Sequence, residues 1–197
     1  MRPSNHATLA GTDWLLRSAF PAVVVAALIF AGCVVTQKKY NSMLAQQQAI
    51  EASLNKEISA DQVEIKQLEN GIQVRLSSAL LYREGGVDLT PAGKAALDKV
   101  APQFSSQTYE IDVIGNTDNL KTVGELAERY PTNWELAGAR AALVVRHLQA
   151  DGVDPSRMRA ISAGEYHPVA SNDTAEGRAQ NRRTDIVLRP TGQGPSQ

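Results

Sequence analysis

The chain has 197 residues, of which 43% are hydrophobic and 21% are charged, a composition typical of a globular protein with one or two domains. It argues against a wholly disordered chain, a collagen and a polytopic membrane protein. Twenty Lys and Arg against 21 Asp and Glu give a formal net charge of -1, so no overall positive field favours nucleic acid as a partner. One cysteine permits no intramolecular disulfide, and with three histidines it forms no zinc-binding pattern. We expect no metal and no organic cofactor.

The amino-terminal region carries an uncharged apolar segment, residues 19–35, preceded by Arg17. This segment is shorter than the roughly 20 residues of a membrane-spanning helix, and a signal peptide needs an apolar core of only about 7 to 15. Residues 1–32 are therefore either a cleaved signal peptide or an uncleaved membrane anchor. The run Phe30-Ala31-Gly32-Cys33 resembles a bacterial lipobox. That resemblance implies lipidation of Cys33, and Val34 in place of an aspartate favours the outer membrane.

Residues 38–70 contain neither proline nor glycine and are rich in good helix formers. They predict one continuous helix, ended by Gly71. Positions at alternating steps of three and four give a seam like that of a coiled coil, although three of its nine positions are polar: the seam consists of Leu44, Gln47, Glu51, Leu54, Ile58, Asp61, Ile65, Leu68 and Ile72. Residues 33–71 are thus interpreted as a helical stalk, which either forms a dimeric coiled coil or is an isolated amphipathic helix that is mostly solvated or packed on its own domain.

Strands then alternate with helices, which favours a layered α/β fold, an α+β sandwich. Thr90 is a candidate N-cap followed by Pro91 at the first helical position, and Pro102 is expected to kink that helix or end it early. The polar loop after the second strand is expected to run from residue 116 to 132. We expect strands at residues 72–81, 108–114, 158–163 and 184–188, and helices at residues 91–104, 133–150 and 174–180.

Several spaced motifs follow one another in this region. They are GNTD at 115–118, NWELAGARA at 133–141, GV at 152–153, GEY at 164–166, Pro168, Asn172, GR at 177–178 and NRR at 181–183. In this order they resemble the OmpA-like carboxy-terminal domain, the peptidoglycan-binding module of OmpA, Pal and MotB proteins. The resemblance covers residues 72–190 and implies a βαβαβ-αβ domain with a small mixed sheet, followed by a flexible tail at residues 191–197. The family has histidine where this chain has Asn116, and serine where it has Ala137.

The same resemblance implies a binding site for the wall's stem peptide. Diaminopimelate in that peptide offers a carboxylate beside an ammonium group. Asp118 would bind the ammonium, and Arg140 would bind the carboxylate through its planar fork of donors. Asn133 and Thr117 would add neutral hydrogen bonds. Because successive strand residues point to opposite faces, one of Arg182 and Arg183 is expected to face the ligand, and the other to be solvated or paired with Asp185 or Glu110.

The resemblance therefore implies non-covalent peptidoglycan binding that joins a membrane to the cell wall, with a periplasmic domain on an outer-membrane lipoprotein. An alternative is an inner-membrane wall anchor of a motor or secretion assembly, similar to MotB but non-conducting, because residues 19–35 contain no aspartate to carry an ion. A cell-wall hydrolase is a weaker alternative. No G-x-S-x-G, H-E-x-x-H or Walker A pattern is present, so we expect no enzyme. His147 and His167 are interpreted as surface or packing residues. The expected partners are peptidoglycan, a membrane and, through the stalk, a second copy of the chain.

Overall fold

The computed structural model describes residues 37–38, 40–105 and 109–191. The apolar segment at residues 19–35, its Cys33 and residues 192–197 lie outside these ranges. The chain divides into two compact units, Met1–Ser42 and Met43–Gln197. Within the described ranges, no helix is both long enough and apolar enough to cross a membrane. The second unit contains all the strands of the described residues.

A five-stranded mixed sheet forms the centre of this unit, with the strand order β1-β2-β5-β3-β4. Strands β3 and β4 are parallel, and the other neighbours are antiparallel. The strands are β1 (Val63–Leu68), β2 (Gly71–Ser77), β3 (Tyr109–Asn116), β4 (Met158–Gly164) and β5 (Arg183–Pro190). This arrangement confirms the predicted α/β class with a small mixed sheet.

Seven helices accompany the sheet in the described part of the unit. The first, α1, comprises the helical residues 43–53. A single 3-10 turn, Pro155–Arg157, precedes β4. The other helices are α2 (Asn55–Ser59), α3 (Ser78–Leu81), α4 (Pro91–Phe104), α5 (Gly124–Arg129), α6 (Asn133–Ala150) and α7 (Ala175–Asn181).

The hydrophobic core lies between one face of the sheet and helices α4 and α6. Every second residue of β2, β3 and β5 is apolar and points to this face, because side chains alternate along a strand. Phe104 of α4 and Leu148 of α6 are fully buried against them. The inward-facing strand residues are Ile72, Val74, Leu76, Ile111, Val113, Ile186 and Leu188.

The helix predicted to continue to Asn70 is wrong beyond Ser59. Residues 63–68 instead form β1, which pairs with β2 in a tight hairpin closed by the pairing of Leu68 with Gly71. The helical part also has a tertiary role, because Ile50 and Leu54 are fully buried in the core. Burying one such side chain contributes about 1.5 to 3 kcal/mol. The helix therefore packs on its own domain, and the coiled-coil dimer stays a prediction.

Most other predicted elements are confirmed with shifted ends. Helix α4 begins after Thr90, whose Oγ1 accepts a hydrogen bond from Gly93 N at 2.8 Å, and it continues past Pro102 to Phe104. The first predicted strand is too long, because Ser77 caps the short helix α3. The predicted loop at residues 116–132 contains α5. The helix predicted at residues 133–150 coincides with α6, and the remaining strand and helix predictions differ from the structure by one or two residues at an end.

Helix α6 and strand β3 approach each other closely at Gly115. A β-carbon there would overlap the carbonyl oxygen of Ala137 and lie 2.8 Å from its carbonyl carbon. Only glycine permits this approach, since both groups are backbone and neither can move aside. The contact fixes the height of α6 over the end of β3, where the candidate site lies.

We expect Gly115→Ala to destabilise the unit by about 2 to 4 kcal/mol, because the new methyl group must push α6 away from the sheet. Gly138→Ala on the same helix is the matched control. The β-carbon added at position 138 would meet only Ser162 Cβ, at 3.6 Å. In a helix interior, alanine is also more stable than glycine by about 0.5 to 1 kcal/mol. Urea unfolding of both variants measures the difference. Equal effects of the two substitutions would contradict the close-approach argument.

Candidate binding site at the end of strand β3

Three charged side chains converge where β3 ends. Asp118 follows β3 by two residues, Arg140 lies inside α6, and Arg182 immediately precedes β5. Arg182 Nη1 donates to Asp118 Oδ2 at 2.6 Å. Asp118 is buried and the Arg182 side chain is 41% exposed. The structure thus places two of the predicted residues, Asp118 and Arg182, in direct contact, and their role in binding stays a prediction.

Arg140 is the buried cation of this site, with 8% of its surface exposed. Its Nε and Nη2 donate to the carbonyl oxygen of Gly86 at 3.2 and 2.8 Å, and its guanidinium carbon lies 4.9 Å from the centre of the Tyr82 ring. Among the described residues, no carboxylate lies within ion-pair distance of Arg140, although the charge of Asp118 acts on it. Burial lowers the pKa of Arg140, and the neighbouring charge of Arg182 lowers it further.

A buried guanidinium group that lacks a carboxylate partner is costly, since desolvation is only partly offset by a neutral carbonyl and an aromatic face. The same group binds an incoming anion strongly, because a charge-assisted hydrogen bond in a desolvated site gains more than one in water. The site at Arg140 is therefore suited to a carboxylate supplied by a ligand.

Tyr82 contacts Arg140 both through its ring and through its hydroxyl group. Its hydroxyl group lies 3.2 Å from the carbonyl oxygen of Arg140, to which it donates, and 2.8 Å from Thr184 Oγ1. It therefore links α6 to β5 directly beneath the guanidinium group. Burial raises the pKa of Tyr82 to about 12, although the hydrogen bond from Thr184 and the charge of Arg140 act in the opposite direction.

Asn133 holds the loop that carries Asp118. Its Nδ2 lies 3.2 Å from the carbonyl oxygen of Asp118 and 3.0 Å from that of Leu120, and it also contacts the carboxylate of Glu165. Asp118 Oδ1 accepts a hydrogen bond from Leu120 N at 3.2 Å, which tightens the same turn. The amide nitrogen of Asn133 is thus committed to the protein, so this residue positions Asp118.

Thr117 differs from Asn133 in having a free side chain. Its backbone N donates to the carbonyl oxygen of Gly164 at 2.8 Å, which ties the residue to the end of β4. Its Oγ1 is buried and makes no hydrogen bond within the described part of the chain. Since buried hydroxyl groups are nearly always hydrogen-bonded, this atom is a natural contact for a bound ligand.

Arg182 and Arg183 separate as the strand alternation predicts. Arg182 lies at Asp118, whereas Arg183 is buried and donates through Nε to Asp185 Oδ2 at 3.0 Å. Pairing of one of the two arginines with Asp185 is confirmed. Burial lowers the pKa of Arg183. Asn116, at the family's histidine position, has its Nδ2 3.3 Å from the same oxygen of Asp185, so it belongs to this buried cluster.

Among the described residues there is one group of potential metal ligands, which lies at helices α4 and α6. Oxygens of Asp98 and Asp151 and a ring nitrogen of His147 lie within 4.8 Å of one another. His147 Nε2 is 2.7 Å from Asp98 Oδ1, which links α4 to α6. These contacts hold the imidazole between two helices, in agreement with its interpretation as a packing residue.

Sequence reasoning missed Tyr82, Gly86 and Glu165. Glu165 belongs to the GEY motif, so the sequence singles out the segment that carries it. The sequence does not predict the contact of Glu165 with Asn133. Tyr82 and Gly86 lie in the segment before α4, more than 50 residues from Arg140, and no local pattern connects them to it. Their role depends on the tertiary packing of α6 against this segment.

The family model described as "OmpA family" matches residues 81–182. The chain belongs to the OmpA family. Outer membrane protein A of Bordetella avium is 43% identical over 101 residues, 51% of this chain and 48% of that protein. The probable lipoprotein YiaD of Escherichia coli is 34% identical over 141 residues, 71% of this chain and 61% of that protein. The peptidoglycan-binding protein ArfA of Mycobacterium tuberculosis is 31% identical over 122 residues, 61% of this chain and 35% of that protein.

Two solved structures share the fold. The cell wall anchor of the T6SS from Pseudomonas aeruginosa superimposes with a TM-score of 0.66 at 28% identity, over 73% of this chain and 99% of that one. A MotB-like protein from Desulfovibrio vulgaris gives a TM-score of 0.67 at 27% identity, over 75% of this chain and 96% of that one. Because nearly all of each solved chain is matched, a unit of this extent folds by itself. Of the three relatives' lengths, this OmpA-family chain spans between about a third and three fifths.

We expect Tyr82→Phe to destabilise the OmpA-family domain by about 1 to 2 kcal/mol at neutral pH, because two buried polar groups lose their partner. The pKa of Tyr82 is raised in the folded state, so its contribution is complete below about pH 10 and is lost as the pH rises towards 12. The loss is at most about 1.4 kcal/mol per pH unit. Urea unfolding of both proteins from pH 8 to 12 measures it. A difference between them that does not shrink above pH 10 would contradict the assignment.

Proposed function

We propose that this protein binds peptidoglycan non-covalently and anchors a membrane to the cell wall. The observation that carries the proposal is the buried guanidinium group of Arg140, which has no carboxylate within ion-pair distance among the described residues and lies beside the carboxylate of Asp118. A site with an unpaired cation next to an anion is complementary to a zwitterion. The names of two relatives, a peptidoglycan-binding protein and a cell wall anchor, support the same ligand.

The ligand is the diaminopimelate of the stem peptide. Its free carboxylate binds Arg140, whose Nη1 makes no hydrogen bond within the described part of the chain, and its ammonium group binds Asp118. The Oγ1 of Thr117 donates to the same carboxylate. Arg182 is half exposed and is held only by Asp118 through its guanidinium group, so it closes over the ligand as a second cation. Arg183 is excluded from contact with the ligand because it is buried against Asp185.

The proposed activity is binding without catalysis, and it is located in the periplasmic part of the cell envelope. The solved neighbours include a T6SS cell wall anchor and a MotB-like protein, whereas one relative is named a probable lipoprotein. A wall anchor fits either membrane. We propose Cys33 as the lipidated residue, because the lipobox resemblance includes that cysteine. We propose the outer membrane because Val34 follows Cys33 where an aspartate would suggest retention at the inner membrane.

The binding proposal predicts that Arg140→Met abolishes binding of a diaminopimelate-containing stem peptide and leaves the domain as stable as before or more stable. The reason is that an unpaired buried charge costs more free energy than an apolar side chain of similar size. Asp118→Asn keeps the acceptor for Leu120 N and should weaken binding about ten- to a hundredfold, since a charge-assisted hydrogen bond contributes about 1.5 to 3 kcal/mol. Calorimetric titration of Met43–Gln197, with thermal unfolding in parallel, measures both effects.

Arg146→Ala is the matched control, because it removes an exposed arginine from the same helix and should leave binding unchanged. Unaltered binding by folded Arg140→Met protein would contradict the proposal. Binding that is lost equally in Arg146→Ala would show a general charge effect.

The anchoring proposal predicts that Cys33 carries the lipid. In cells fed a fatty-acid probe, the full-length protein should be labelled and Cys33→Ser should be unlabelled. Cys33→Ala tests whether the hydroxyl of serine matters and should also be unlabelled. An unlabelled parent that remains in the membrane fraction with residues 1–32 intact would show the uncleaved inner-membrane anchor.

A further inference from the structure

Two large aromatic rings stack on the surface beside the candidate site. The rings of Trp134 and Tyr166 have centroids 5.2 Å apart and planes 25° from parallel. Their exposed fractions are 46% and 61%, and neither residue belongs to the hydrophobic core. A protein of this size does not need two stacked rings in water for its stability, and clustered exposed apolar groups usually mark a binding surface.

The stack is rigidly mounted. Trp134 is the second residue of α6, and Ser162 Oγ donates to its carbonyl oxygen at 2.7 Å. Gly164 lies under both rings with a φ of +55°, and a β-carbon there would be 3.3 Å from Trp134 Cδ2 and 3.5 Å from Tyr166 Cδ2. The hydrogen bond from Asn133 to Glu165 joins the two chain segments that carry the rings. Both rings are therefore held by the backbone around Gly164, with their planes 25° from parallel.

The stack is continuous with the candidate site. Asn133, the neighbour of Trp134, contacts the carbonyl oxygen of Asp118 at 3.2 Å. Thr117 N donates to the carbonyl oxygen of Gly164 at 2.8 Å. The residues that hold the rings are thus the residues that hold the Asp118 turn. The rings therefore adjoin the candidate site.

We propose that the Trp134–Tyr166 stack binds a sugar ring of the peptidoglycan glycan, to which the stem peptide in the site is attached. This inference rests on the proposed function. A pyranose ring has an apolar face of C–H groups, which carry partial positive charge, and a rim of hydroxyl groups. An aromatic face is negative and apolar, so it is complementary to the C–H face. The carboxylate of Glu165, at the edge of the stack, is available to the hydroxyl rim.

The covalent link between the stem peptide and the sugar favours contact of the sugar with the two rings. With two residues between the sugar and the diaminopimelate, an extended backbone separates them by about 10 Å, and the diaminopimelate side chain and the link to the sugar add to this reach. Binding of the peptide therefore raises the effective concentration of sugar at the rings. A single aromatic contact of this kind should strengthen binding about three- to tenfold.

The test compares two ligands on Met43–Gln197: the free stem peptide, and the same peptide attached to its disaccharide. The parent should bind the disaccharide-peptide about three- to tenfold more tightly than the free peptide. Trp134→Ala and Tyr166→Ala should remove this gain and leave binding of the free peptide unchanged. Trp134→Phe, which keeps an aromatic face, should retain most of the gain. Leu68→Ala is the control for loss of an exposed apolar side chain, because Leu68 lies at the far end of the sheet.

Different results would contradict peptidoglycan binding by the domain and sugar binding by the Trp134–Tyr166 stack. If neither ligand binds the parent, the proposed function is wrong. If the parent binds both ligands equally, or if Trp134→Ala weakens both alike, the stack does not bind sugar and the inference is overturned.

Tryptophan fluorescence gives an independent measurement. The chain has two tryptophans, Trp14 and Trp134, so Met43–Gln197 contains Trp134 alone. The disaccharide-peptide should change its emission, and the free peptide should change it much less. An identical change with both ligands would overturn the inference, since it would show that the sugar does not reach the ring.

Discussion

A guanidinium group inside the protein without a carboxylate partner is the constraint on which the rest of the site depends. Arg140 is held by a neutral carbonyl oxygen, that of Gly86, and by the face of Tyr82. Such an arrangement is unfavourable for stability, because desolvation of the charge is only partly offset. It is favourable for the proposed binding, because a cation inside the protein has already lost its water before a ligand arrives. The proposed function would thus explain why the fold keeps a charge that lowers its stability.

The remainder of the domain fixes the position of this cation. A capping box of Thr132 and Glu135 begins α6, so the helix is well defined at the end nearest the site. The glycine at position 115 brings that helix down onto β3, and the strand places Asp118 two residues beyond its end. Each recognition group is thus mounted on a regular element or on a turn tied to one. Since a small zwitterionic contact gives modest affinity after ordering costs, many copies along one wall would supply durable attachment through avidity.

Much of this architecture could be predicted from the sequence, because its signals are local. Thr90 with Pro91 marks the start of α4, and Arg140 and Asp118 fall in motifs shared with the family. The region from residue 60 to 70 was mispredicted as helix because its composition is rich in Lys, Glu and Gln, and because a coiled-coil spacing could be drawn through Ile65 and Leu68. The turn of this hairpin consists of Glu69 and Asn70, and asparagine is one of the residues that favour turns.

Other features required tertiary information. Strand alternation predicted that Arg182 and Arg183 would face opposite ways, but the choice between them depends on the pairing of β5 with β3. The contacts of Tyr82 and Gly86 with Arg140 span more than 50 residues of sequence, and no periodicity encodes them. The substitution at Asn116 also becomes interpretable only from its hydrogen bond to Asp185.

A crystal structure of Met43–Gln197 with a diaminopimelate-containing stem peptide would show whether Arg140 and Asp118 bind the ligand. We expect the ligand's free carboxylate within hydrogen-bond distance of the Arg140 guanidinium group and its ammonium group within hydrogen-bond distance of the Asp118 carboxylate. A peptide bound elsewhere, with Arg140 contacting only Gly86 and Tyr82, would show that the buried guanidinium group does not bind the stem peptide.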